Sequence, residues 1–215
     1  SLQPHARRTL TGKLSYTTGS AGFGRLGRAA LRILHRESGE ENVSWSVREV
    51  LSFFMALLPI LPARIIRMRA KRLRPIVVYT DAMYSDTDTP PGRIGIVIYD
   101  PEAPEPGRDA NEAPDSVDFR WRHASVEVTR DDLASMDQRK QYITQLESLA
   151  GLMAYTSRPG QFRDRDVIHF IDNAGALAIL AKGYSKDEDC GRMTHFYHAI
   201  AAALQSRVWF EYVAS

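Results

Sequence analysis

The spacing of apolar residues changes once along the chain, near Pro75. Before it, Leu10, Leu14, Phe23, Leu26, Ala30, Ile33 and Leu34 recur at helical spacing around a glycine-rich break at Gly19, Gly22 and Gly24, and Val47, Val50, Leu51, Phe54 and Leu58 do so again. Pro59 and Pro62 predict the end of that second helix, so residues 1–74 read as a small helical unit. After Pro75 the runs shorten. Ile76–Thr80 is a β-branched and aromatic stretch without polar alternation, which predicts a central strand covered on both faces and ending at Asp81. Gly92–Tyr99 and Val117–His123 predict two more strands in an antiparallel meander, and the proline- and acid-rich residues 100–116 between them read as an exposed insertion.

A helix is expected over Gln138–Tyr155, its apolar stripe being Tyr142, Ile143, Leu146, Leu149, Ala150 and Met153. Val167–Ile171 is a second nearly continuous apolar strand, ending at Asp172 and followed by a helix over Ala174–Ala181. A helix over Cys190–Gln205 and a strand over Arg207–Val213 complete the order β-β-β-α-β-α-α-β, an α/β fold with a mixed sheet over residues 75–215. The strands starting at Ile76 and Val167 are expected side by side and parallel, since both read as needing two covered faces.

Composition narrows this picture. At 215 residues, 44% hydrophobic and 25% charged, the chain has the make-up of a globular protein with room for one sizeable core and a smaller attached unit. Its longest apolar run, Val50–Leu61, is short for a membrane span and contains Pro59. The lone Cys190 allows neither a disulfide framework nor a cysteine-rich zinc site, in keeping with a reducing intracellular compartment, cytoplasm or nucleus. The chain opens at Ser1 without an initiator methionine or signal-peptide pattern, and so reads as a piece of a longer protein.

Charge is unevenly spread. Residues 1–74 carry fourteen Lys and Arg against four Asp and Glu, a net +10, whereas residues 75–215 are −8. The stretch of residues 63–74 alone holds six basic residues, among them Arg67, Arg69, Lys71 and Arg72. Two readings follow: contact with nucleic-acid phosphates, or a basic helical surface docked on the chain's own acidic domain.

Candidate chemistry follows from three acids. Asp81 and Asp172 each follow a central strand, and Glu147 sits beside the apolar stripe of the helix predicted to cross them, four residues after Ile143. In open α/β sheets such strand ends form the functional crevice. Three converging carboxylates repel one another unless cations intervene, and an all-oxygen set without His or thiolate suits Mg²⁺ or Mn²⁺. Two such ions would serve in-line phosphodiester cleavage. Each acid alone has a plainer reading; Asp172 could simply cap the following helix. His195 and His198 share a helical face but lack a third ligand, and read as packing residues. Trp209, Phe210 and Tyr212 read as core and sheet residues rather than a base-stacking platform. The GFGRLG run at residues 22–27 has no preceding strand and is not a dinucleotide fingerprint.

The segments VVYTDA (77–82), QYITQLESLAGLMAY (141–155), HFIDNAGALAILAKGYS (169–185) and RVWFEYV (207–213) resemble the ribonuclease H domain that follows reverse transcriptase in eukaryotic retroelements. The front, LTGKLSYT with FGRLGRAAL, is similar to the helical connection leading out of the polymerase. The resemblance implies a metal-dependent endonuclease cleaving the RNA strand of an RNA–DNA hybrid. Asp81, Glu147 and Asp172 would be the metal ligands, two Mg²⁺ or Mn²⁺ ions the cofactors, and Ser85 and Asn173 neighbours of metal or nucleic acid. An upstream polymerase of the same polyprotein would be the partner. Two departures are visible: the family has a small residue where Met83 stands, and it carries a fourth acid in a Pro-Ser-x-x-Asn-x-x-Asp run on a helix after the last strand, which would lie beyond Ser215. The alternative is a ribonuclease H-like module, truncated or host-adopted, that binds nucleic acid or protein with little or no cleavage. Exonucleases with a glutamate two residues after the first aspartate, and integrases with their glutamate last, do not fit this order.

Overall fold

The computed structural model describes residues 3–20, 25–37, 42–60, 73–103 and 120–214. The front forms three helices, α1 (Pro4–Ser20), α2 (Arg28–Arg36) and α3 (Trp45–Leu57). Ser44 caps α3 by accepting the Val47 N–H, and the helix ends at Leu57, two residues short of Pro59. Leu14, Ala30, Leu31, Leu34, Val47, Val50 and Phe54 form a buried cluster between the three helices. Gly27 enters α2 at φ +81°, with the Phe54 ring 3.1 Å from where a Cβ would stand, so conformation and space both call for glycine. Phe23 and the basic residues Arg67, Arg69, Lys71 and Arg72 lie outside the described residues.

Five strands make one mixed sheet in the order β3-β2-β1-β4-β5: β1 (Ile76–Tyr84), β2 (Gly92–Tyr99), β3 (Trp121–Val128), β4 (Asp166–Ile171) and β5 (Arg207–Tyr212). The first three form the expected antiparallel meander, and β1 and β4 are parallel neighbours from Ile76↔Val167 to Thr80↔Ile171. Two expectations about β1 are corrected. It does not end at Asp81 but continues to Tyr84, because its ladder with β2 extends to Tyr84↔Gly92. Nor is it covered on both faces: Ile76, Val78, Thr80 and Ala82 are buried, whereas Tyr79 is 40% and Met83 49% exposed. Apolar residues without polar alternation can therefore fill a strand with one open face, since an aromatic flank can cover its neighbours. The third strand runs on to Val128, past its expected end at His123, while Val117, Asp118 and Phe119 lie outside the described residues; as an edge strand paired only with β2, it has one line of partners and a weak pattern.

Four helices belong to this half: α4 (Arg130–Ala134), α5 (Ile143–Ser157), α6 (Ala174–Lys182) and α7 (Glu188–Ala203). The short α4 was not expected, although its Thr129–Asp132 capping box is written in the sequence. α5 starts five residues later than its periodicity suggests. Arg139 instead pairs with Asp187 and Asp189 of the α7 N-terminal turn, tying the non-helical approach to α5 to α7. α5 lies across β1 and β2, and α7 packs on α5. Leu146, Ala150, Ala154, Tyr155, Leu180 and Tyr197 join the inner sheet residues in the larger core.

Among the described residues no helix covers the opposite face. One register row crosses all five strands there as Trp121, Tyr99, Val77, Ile168 and Trp209. The next row contains Tyr79 stacked on Phe170 at 4.8 Å. Trp209 is 66% exposed and Tyr212 is also exposed, so only Phe210 of the last strand's aromatic trio belongs near the core, against His169 and Tyr197. The helical front meets the rest of the chain through α2 and α7. Arg25, Arg28 and Arg32 donate to the carbonyls of Val208, Lys182 and Ser185 at 3.2, 3.1 and 2.8 Å, and Phe53 packs edge-on against His195.

Candidate metal centre

The site forms where one ladder stops. The parallel pairing of β1 and β4 ends at Thr80↔Ile171, so the next residues, Asp81 and Asp172, stand side by side beyond it. β1 goes on along β2, while β4 gives way to α6, and the separating chains leave a crevice at the carboxyl ends of the parallel strands. Asp81 projects on the open face by strand alternation. Glu147 comes from the other side. It lies in the second turn of α5, only 2% exposed, and its Oε1 accepts the Ala82 N–H at 3.1 Å, just beyond the end of the β1–β4 ladder. One carboxylate oxygen from each of Asp81, Glu147 and Asp172 lies within 4.8 Å of the others.

Burial first, and the neighbouring charges of Asp172 and Asp81 after it, push the Glu147 carboxyl up to about 8 against the opposing Ala82 hydrogen bond. Asp81 is raised as well, by burial and by Asp172. Two oxygens in the crevice, Glu147 Oε2 and Asp172 Oδ1, are buried with no hydrogen-bond donor. Buried acceptors of this kind need a proton or a cation. Three hard oxygen donors, two of them otherwise unpartnered, fit a divalent ion of the Mg²⁺ or Mn²⁺ type.

Asp172 does not cap the helix that follows. That task belongs to Asn173, whose Oδ1 accepts the Ala176 N–H at 2.9 Å, which leaves the Asp172 carboxylate to the crevice. Ser85 lies past the end of β1, four residues or about 13 Å of extended strand from Asp81, and its hydroxyl contacts Thr87. The structure thus brings Asp81, Glu147 and Asp172 together, sets Asn173 beside them as a cap, and leaves Ser85 outside the cluster. His195 and His198 join no metal-holding group among the described residues; the His198 Nε2 lies 2.8 Å from the Leu180 carbonyl.

Behind the crevice lies a residue that periodicity passed over. His169 of β4 is fully buried, with Nε2 2.9 Å from Thr80 Oγ1 and Nδ1 3.2 Å from the Tyr197 hydroxyl. Its signal in the sequence was a lone polar residue inside the apolar run VIHFI.

No family model and no curated protein matches the chain. Among solved structures it is similar to ribonuclease H1 of the archaeon Halobacterium salinarum, at 12% identity and TM-score 0.40, over 65% of this chain and 85% of that one. A ribonuclease H1 from compost, solved with an RNA/DNA hybrid, is similar at 15% identity and TM-score 0.39, over 65% of this chain and 85% of that one. The protease–reverse transcriptase of prototype foamy virus is similar at 12% identity and TM-score 0.34, over 70% of this chain and 20% of that one. The fold itself is the five-stranded mixed sheet in the order β3-β2-β1-β4-β5 described above. The site stands on this chain's own residues.

Proposed function

We propose that the chain is a metal-dependent nuclease that cleaves the RNA strand of RNA–DNA hybrids, as part of a retroelement reverse transcriptase polyprotein. Residues 75–215 would be its ribonuclease H domain and residues 1–74 the helical connection to the polymerase. The observation that carries this reading is the convergence of Asp81, Glu147 and Asp172 with two buried, donorless carboxylate oxygens. The retroelement setting and the hybrid substrate rest on the sequence resemblance alone. Two bound Mg²⁺ or Mn²⁺ ions would supply an activated water and charge neutralisation at the leaving oxygen. Asp81 and Asp172 would hold the ions from adjacent strands. Glu147, anchored through Oε1 to the Ala82 N–H, would offer Oε2 from the helix side. Arg67, Arg69, Lys71 and Arg72 would contact backbone phosphates, and Ser85 and Asn173 would lie along the path of the nucleic acid.

The test is Asp172→Asn. The exchange keeps side-chain shape and, because Asn173 is the cap, leaves α6 untouched. Hybrid cleavage in Mg²⁺ should fall by orders of magnitude, and the Mg²⁺-induced rise in melting temperature should vanish. Cleavage at the wild-type rate would overturn the assignment.

A further inference from the structure

The crevice depends on two parallel strands being held at one separation and one stagger, and a buried side-chain chain crosses them immediately behind it. Thr80 is the residue before Asp81, and His169 lies three residues before Asp172. Thr80, His169 and Tyr197 are all buried, and they link β1, β4 and α7 through contacts of 2.9 and 3.2 Å. The Thr80–His169 contact is diagonal, since the backbone register pairs Thr80 with Ile171 and His169 with Val78. A diagonal side-chain tie resists sliding of one strand along the other, which the regular ladder by itself opposes less specifically.

Its surroundings are apolar. The rings of Tyr155 and Phe210 flank the imidazole, and Gly151 of α5, one turn after Glu147, passes so close that a Cβ there would stand 3.4 Å from His169 Cε1. An imidazole in such a core loses hydration that a leucine would not need, so its benefit lies in specifying an arrangement rather than in raw stability. Neutral imidazole has one donor and one acceptor nitrogen, and the two hydroxyls can satisfy both in either tautomer. The network is complete only when β1, β4 and α7 are in their present positions.

We propose that His169 is a positioning residue for the carboxylate centre: bridging Thr80 and Tyr197, it sets the stagger of the strands that carry Asp81 and Asp172. The inference rests on the metal-centre reading above. It acts through geometry alone, as His169 touches none of the three acids.

The experiment compares the full chain with His169→Leu, Thr80→Val and Tyr197→Phe, reading Mg²⁺ affinity by calorimetry, kcat and KM on hybrid, and thermal stability without metal. His169→Leu leaves the buried Thr80 and Tyr197 hydroxyls without this partner and should lower the metal-free melting temperature modestly, while weakening Mg²⁺ binding and lowering kcat by about tenfold or more, with KM little changed. Thr80→Val removes one hydroxyl with almost no change of shape and should give the same split. Combined with His169→Leu it should add little, because both break one link. Should His169→Leu fail to fold, Thr80→Val and Tyr197→Phe carry the test. If all folded variants bind Mg²⁺ and turn over like wild type, the positioning role is wrong and the metal centre stands. If wild type binds no Mg²⁺, the metal-centre reading falls, and this inference with it.

Discussion

Glu147 concentrates the conflict within the site. Its burial and the two aspartates disfavour its charge, while the Ala82 N–H that anchors it favours an acceptor oxygen. Glu147→Gln keeps that acceptor and removes the charge. The variant should melt higher than wild type without metal at neutral pH and above, and should lose the Mg²⁺-induced stabilisation; a calorimetric scan with and without Mg²⁺ reads both. His169 gives a pH dependence of its own. Burial holds it neutral down to about 3, against an ordinary value of 6.5, so between those limits the unfolded chain takes up a proton that the folded chain refuses. Stability therefore falls as pH drops below about 6.5, by about 2 kcal/mol at pH 5 from this residue. Denaturant titrations at pH 7 and pH 5 should show the His169→Leu protein losing less stability over that interval than wild type.

Among the elements, α5 decides whether the third acid arrives. It settles onto the sheet because the residue beneath it is Gly92, where a Cβ would stand 2.9 Å from Leu146 Cδ1 and 3.2 Å from Val128 Cβ. Gly92→Ala should cost about 1–3 kcal/mol through overpacking and lift the turn of α5 that carries Leu146 and Glu147. The expected result is a lower melting temperature together with weaker Mg²⁺ binding. Unchanged Mg²⁺ affinity in a destabilised variant would show that Glu147 reaches the crevice independently of how closely α5 approaches.

Across the whole molecule, part of the basic front is docked. Arg25, Arg28 and Arg32 satisfy carbonyls near the end of α6, before α7 and in β5, and Arg25 also lies 5.1 Å from the centre of the Phe210 ring. Of the two readings of the front's charge, these three arginines follow the docked one. The double variant Arg25→Ala, Arg32→Ala should loosen the α2–α7 contact at a cost of about 1–3 kcal/mol per lost charged hydrogen bond. Amide exchange in α2 should quicken while the Mg²⁺ response stays at the wild-type level. Replacing Arg67, Arg69, Lys71 and Arg72 by Ala should instead weaken hybrid binding and flatten its salt dependence.

Apart from the short α4, the order of elements after Pro75, the parallel neighbours β1 and β4 and the three acids that converge were legible in the sequence. Each depends on local signals: β-branched runs, a 3.6-residue period and acids at or just after apolar strands. Where β1 ends was not legible, because a strand continues for as long as it has a partner, and β2 outlasts β4 beside it. Burial on one face was hidden for a similar reason: Val77, Tyr79 and Ile168 are apolar whether or not something covers them. The choice of Asn173 over Asp172 as the cap was a matter of one residue, settled by backbone geometry at the start of α6. Residue types alone pointed to three carboxylates. Their approach within 4.8 Å, the anchoring of Glu147 on Ala82 and the tie through His169 exist only once helix and strands are packed, since residues 66 and 25 positions apart meet only through tertiary contacts.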